Sequence, residues 1–131
     1  MQILRRLITA CALLAPALAA AHGDYVVGYV NVTPNGDGLY GTFNVRFNTN
    51  PTSYPAYIGA GGYANGLLYF YGQDGNGRQF YCYVPPASAI YSAAVDIKNT
   101  LGGGSFLAVQ RVPPSSECSS VYSGKASHYL Y

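Results

Sequence analysis

Five acidic side chains, two histidines and three cysteines are the residues of this 131-residue chain whose types could carry chemistry. Glycosidase-type acid–base work needs two carboxylates placed across a bond. The five acids lie apart: Asp24 near the start, Asp37 and Asp74 in Gly-rich turns, Asp96 in a helical pattern, Glu117 beside a cysteine. No spacing pairs them. His128 could act as the base of a Ser–His–acid set, but the chain has no Gly-x-Ser-x-Gly elbow to present a nucleophile. Asn35-Gly36-Asp37-Gly38 and Asp74-Gly75-Asn76-Gly77 carry parts of a calcium loop without its full oxygen set or its distant Glu, so both read as turns. The expectation is a protein without catalysis and without a cofactor.

Copper is the alternative, and it rests on His22. Cleavage of an export signal after Ala21 would leave His22-Gly23 as the mature start. That start resembles the mature ends of lytic polysaccharide monooxygenases and of some periplasmic copper-resistance proteins. The resemblance covers two residues of the chain. It implies copper held by the terminal amine and His22, with His128, the other histidine of the sequence, as second ligand and Tyr129 as a nearby aromatic.

Residues 1–21 read as the export signal: Arg5 and Arg6 form the positive region, Leu7 to Leu14 the short apolar run, and small residues follow Pro16. Ala19, Ala20 and Ala21 each offer a cleavage point. The run is too short to span a bilayer, so no transmembrane segment is expected. Residues 22–131 then form one secreted or periplasmic domain. Of the cysteines, Cys82 and Cys118 remain after cleavage, and an oxidising compartment makes a disulfide between them the default.

Removing the signal also removes two of the seven basic residues, and the remaining five balance five Asp and Glu. A neutral chain without a basic run has no electrostatic footprint for nucleic acid or an anionic membrane. Half of the residues are apolar and 9% are charged, which points to a folded core rather than disorder.

The elements that must position any site are mostly strands. Tyr25 to Val32 is rich in β-branched and aromatic residues, and Leu39 to Phe47 alternates with Phe43, Val45 and Phe47 inward. Pro34-Asn35-Gly36 turns the chain between them. Ala56 to Tyr63 is a strand weakened by Gly59, Gly61 and Gly62, as at a bulge or a close backbone approach. A helix is expected over about 87–101, with Ser88 as N-cap and Gly102 to Gly104 as its stop. Ser105 to Val112 is a further strand, Ser115 to Ser120 a loop around Cys118, and Ala126 to Tyr131 the last strand. The predicted fold is α+β: a mostly antiparallel small β-sheet, or a barrel or sandwich, with one helix and one disulfide.

The centre is the hairpin Gly66 to Val84, two aromatic runs around Asp74-Gly75-Asn76-Gly77. A turn centred on Gly75-Asn76 would set Phe70 opposite Tyr81 and Tyr69 opposite Cys82. One face would then carry Leu67, Tyr69, Tyr71, Phe80, Cys82 and Val84, the other Leu68, Phe70, Tyr81 and Tyr83. Both read as apolar, so coverage of both faces, by the core and by the helix or barrel closure, weighs ahead of an open platform. If open, Phe70, Tyr81 and Tyr83 are the binding residues, because tyrosine offers apolar area plus a hydroxyl to a protein or carbohydrate ligand. The expected function is thus a non-catalytic binding module with a Tyr-rich surface. The alternative is a self-assembling cell-surface or extracellular component, whose Gly/Tyr-rich edge strands add to neighbouring copies.

Overall fold

Antiparallel pairing begins at the first turn, Thr33–Gly38. Gly36 takes a φ of +67° there, and the Thr33 hydroxyl accepts the Asp37 and Gly38 amides at 3.1 and 2.8 Å. The reversal is thus closed by a side chain as well as by backbone. It joins β1 (Val30–Val32) to β2 (Gly38–Thr42), with Val32 opposite Leu39. The computed structural model describes residues 27–47 and 52–125. The export segment, His22, His128 and the strand expected over Ala126–Tyr131 lie outside these residues.

The alternation expected to continue to Phe47 breaks off at Thr42. Phe43–Phe47 winds into a 3₁₀ turn instead. Its backbone lies directly on Gly28, where a Cβ would overlap the Val45 main chain. Val45 still reaches the core, but Asn44, predicted to face outward, is buried as well.

The second sheet follows: β3 (Tyr57–Gly62), β4 (Leu68–Gln73) and β5 (Gln79–Val84), paired antiparallel in that order. Two successive turns at Pro85–Ser88 and Ser88–Tyr91 delay α1 to Tyr91–Thr100. The helix therefore starts later than residue 87. Ile90 rather than Ser88 occupies the cap, and no side chain bonds there. Gly102 and Ser105 close the exit turn with two hydrogen bonds of 3.0 and 2.9 Å. β6 (Ser105–Arg111) then inserts between β2 and β7 (Cys118–Lys125), giving the first sheet the order β1-β2-β6-β7. Cys118 opens this last strand instead of lying in a loop.

The inner faces of the two sheets meet. Leu39, Leu107 and Val109 from the first share one core with Leu68, Phe70, Phe80 and Val84 from the second. At Gly72 the sheets approach so closely that a methyl group would stand 2.8 Å from Leu39 Cδ1. Helix α1 packs beside β7 and contributes the fully buried Ala94. The arrangement is an α+β fold of two packed antiparallel sheets, not a closed barrel.

The Cys82–Cys118 disulfide ties β5 to β7 across a sequence separation of 36. In the chain-entropy model a loop of this length gives about 4 kcal/mol. Among the described residues no helix is long and apolar enough to cross a membrane.

Candidate binding face

The geometry of the β4–β5 turn decides which side chains share a face. Asp74 is buried at the turn, and its Oδ1 accepts the amides of Asn76 and Arg78 at 2.9 and 3.0 Å. Its Oδ2 lies 3.0 Å from Arg78 Nε. The amides of Asp74 and Gly77 donate to the carbonyls of Arg78 and Asp74, both at 3.0 Å. The one positive φ, +83°, falls at Gly77, not at Asn76. The Asp74 carboxylate thus organises a loop of residues 74–78, so that Gln73 faces Gln79, Tyr71 faces Tyr81, Phe70 faces Cys82 and Tyr69 faces Tyr83.

This register is one residue away from that of a turn centred on Gly75-Asn76, and one residue moves every side chain to the other face. Phe70, expected beside Tyr81 and Tyr83, is 0% exposed and sits in the core with Phe80, Cys82 and Val84. It is not part of any surface. Tyr81 and Tyr83 do share a face, and their companions are Tyr69 and Tyr71. The alternation itself carried the signal: Leu68 and Phe70, like Phe80, Cys82 and Val84, interleave with tyrosines, and only the observed pairing collects all four tyrosines on one side.

That side is open, contrary to the covered arrangement the sequence favoured. Tyr71 is 39% and Tyr81 41% exposed, while Tyr69 and Tyr83 are half-buried. The rings touch one another across the sheet. Tyr69 lies 5.9 Å from Tyr71 and 6.5 Å from Tyr81, and Tyr63 and Tyr57 extend the row at 4.8 Å from Tyr69 and 6.1 Å from Tyr71. Contacts of this kind add roughly 0.5–1.5 kcal/mol each beyond area burial.

The glycines of β3 make this layout possible. Gly59 is the cross-strand partner of Tyr71 and Gly61 that of Tyr69. Each ring lies over its glycine's backbone, and a methyl group at Gly59 would come 2.6 Å from Tyr71 Cζ. The close backbone approach expected at these glycines is therefore made by tyrosine rings, which lie down on the sheet instead of standing away from it.

The back of the face is braced. The Arg111 guanidinium lies 5.4 Å over the Phe80 ring, and its Nε and Nη1 donate to the Gly36 and Tyr81 carbonyls at 2.9 and 3.3 Å. The Tyr83 amide donates to the Ser116 carbonyl at 3.0 Å, next to the disulfide. One end of the face is an amide ladder: Gln79 Nε2 donates to Gln73 Oε1 at 2.9 Å, and Gln73 Nε2 to the Pro55 carbonyl at 3.0 Å.

Electrostatically the face is bland. Its rows Tyr57-Gln73-Gln79, Gly59-Tyr71-Tyr81 and Gly61-Tyr69-Tyr83 hold no charged side chain. Burial pushes the Tyr81 phenol above its ordinary range, and the neighbouring Tyr63, Tyr69 and Tyr83 add to the shift. The Tyr81 phenol is therefore neutral at physiological pH. Among the described residues no three His, Cys, Asp or Glu side chains gather to hold a metal ion, and the proposed copper pair, His22 and His128, lies outside them.

The chain matches no protein-family model, and no curated protein or solved structure matches it.

Proposed function

We propose that this chain is a non-catalytic binding module and that its tyrosine face takes an uncharged, ring-bearing, polyhydroxylated ligand, a neutral polysaccharide. One observation carries the reading: tyrosine rings laid over Gly59 and Gly61 form a broad open surface of apolar ring faces with hydroxyls, free of formal charge. Sugar rings offer the complement, C–H faces for stacking and hydroxyls for hydrogen bonds. A charged ligand would find nothing in these rows to pair with. The exposed Gln79 amide supplies a polar end. The proposed setting is extracytoplasmic, which fits both the export-like segment and a disulfide in a small domain.

The test is binding to a panel of neutral polysaccharides (cellulose, chitin, mixed-linkage β-glucan, xylan and mannan), with wild type compared to Tyr81→Ala and Tyr69→Ala. Retention on at least one, weakened roughly tenfold or more by each variant, is the expected result; tenfold corresponds to about 1.4 kcal/mol. No retention on the panel would overturn the glycan reading. A concentration-dependent dimer that Tyr81→Ala dissolves would move the face to self-association.

A further inference from the structure

The opposite side of the molecule carries a second aromatic feature, on the outer face of the first sheet. Ala108 of β6 is paired with Tyr40 of β2 on one side and with Tyr122 of β7 on the other. Both tyrosines are open, at 40% and 62% exposure. They line a groove of about 340 Å³ together with Gly38, Ala108, Gln110 and Ser120. The volume is at the lower end of small-ligand sites, about 300–1,000 Å³.

Three properties say what fits. Tyr40 and Tyr122 stand on strands two spacings apart, roughly 9–10 Å between backbones, with the small side chain of Ala108 between them. Each tyrosine also meets a further ring: Tyr29 meets Tyr40 edge-on at 6.5 Å, and Phe106 of β6 meets Tyr122 edge-on at 6.4 Å. Finally, among the described residues no charged side chain lines the groove. At its polar end Ser120 Oγ donates to Gln110 Oε1 at 3.1 Å, which engages the Gln110 carbonyl and leaves its NH₂ as a donor.

We infer that the Tyr40–Tyr122 groove is a second site for a neutral glycan, with the two tyrosine rings against the sugar and the Gln110 NH₂ on a hydroxyl. The groove stands on its own geometry; only the consequence of bivalency rests on the glycan reading of the tyrosine face. Because the inner faces of the sheets pack together, their outer faces point apart. A domain with both sites bridges two chains and gains avidity from doing so.

The experiment is an amide-resolved NMR titration of the folded chain with short neutral oligosaccharides of β-glucose, N-acetylglucosamine, xylose and mannose. Groove amides (Ala108, Gln110, Ser120) and face amides (Gly59, Gly61, Tyr81) report separately. The expected result is saturable shifts at the groove amides in wild type and in Tyr81→Ala, with the groove dissociation constant raised at least about tenfold in Tyr122→Ala and in Tyr40→Ala. The spectra themselves show that each variant is folded. Groove amides that never shift with any of these sugars overturn the second site. Groove shifts that vanish in Tyr81→Ala and survive in both groove variants overturn it as well, since they would be an echo of the other face. Groove shifts with silent face amides would uphold the groove and refute the glycan reading of the tyrosine face.

Discussion

The Tyr69 ring lies on the backbone of Gly61, its cross-strand partner, and Tyr71 lies in the same way on Gly59. A glycine inside a strand ordinarily costs about 0.5–1 kcal/mol relative to alanine. Here the missing Cβ is the space the ring occupies. Gly61→Ala and Gly59→Ala should therefore destabilise instead of stabilise. The atoms met are the outer ends of rings that can tilt aside, so the cost should sit at the low end of overpacking, about 1 kcal/mol, which for a domain of this size lowers Tm by several degrees. Thermal unfolding followed by circular dichroism checks this, and a raised Tm in either variant would show that the rings give way freely.

The two faces of the hairpin should respond in opposite ways to truncation. Phe70 is fully buried between the sheets, so Phe70→Ala should cost about 3–5 kcal/mol. Tyr81 is 41% exposed and loses chiefly its ring contact with Tyr69, so Tyr81→Ala should cost about 1 kcal/mol. Urea unfolding of the two variants separates these values. Equal costs would mean that the register of β4 and β5 is wrong.

Loss of the disulfide should be felt at the edge of the face as well as in global stability. Cys82 and Cys118 hold β5 to the start of β7, where the Tyr83 amide meets the Ser116 carbonyl. Replacing both cysteines by alanine should remove about 2–5 kcal/mol. Amide exchange at Tyr83 should accelerate by more than global destabilisation explains. Unchanged protection at Tyr83 relative to the core would show that the backbone contact holds without the bridge.

Alkaline pH supplies a test of ring packing. The raised ionisation range of Tyr81 comes first from burial and then from Tyr63, Tyr69 and Tyr83. A phenol whose folded pKa lies above its unfolded value near 10 contributes stability that is fully present below the unfolded value. That contribution is lost as pH rises through the folded one. The wild type should thus lose stability above about pH 10 more steeply than Tyr81→Phe. Phenolate absorbance should lose a late-titrating contribution in the variant relative to the wild type. Identical pH profiles would refute the link.

Much of the architecture was legible in residue types. The Pro34-Asn35-Gly36 reversal, the β3–β4–β5 order, one helix before β6 and the Cys82–Cys118 pair all follow from turn chemistry, alternation and cysteine count. The face was misread through a single residue. A turn centred on Gly75-Asn76 leaves out Asp74, whose carboxylate gathers two amides and lengthens the loop. That side-chain bonding has no periodic signature, yet it sets the parity of the whole hairpin. The 3₁₀ turn at Phe43–Phe47 escaped for a related reason: alternating Phe43, Val45 and Phe47 suit a strand, and the close packing of this turn on Gly28 leaves no mark on that alternation. The helix start was displaced by turns at Pro85–Tyr91 that outcompete a Ser88 cap.

The most direct test of the proposed tyrosine binding face is a binding isotherm on the polysaccharide that retains the wild type, repeated with the Tyr69→Ala/Tyr81→Ala double variant. Removing two adjacent rings should raise the dissociation constant by roughly a hundredfold, about 2.7 kcal/mol, while the variant still unfolds in a single cooperative transition. A folded double variant that binds as tightly as the wild type would contradict the assignment of ligand binding to this face.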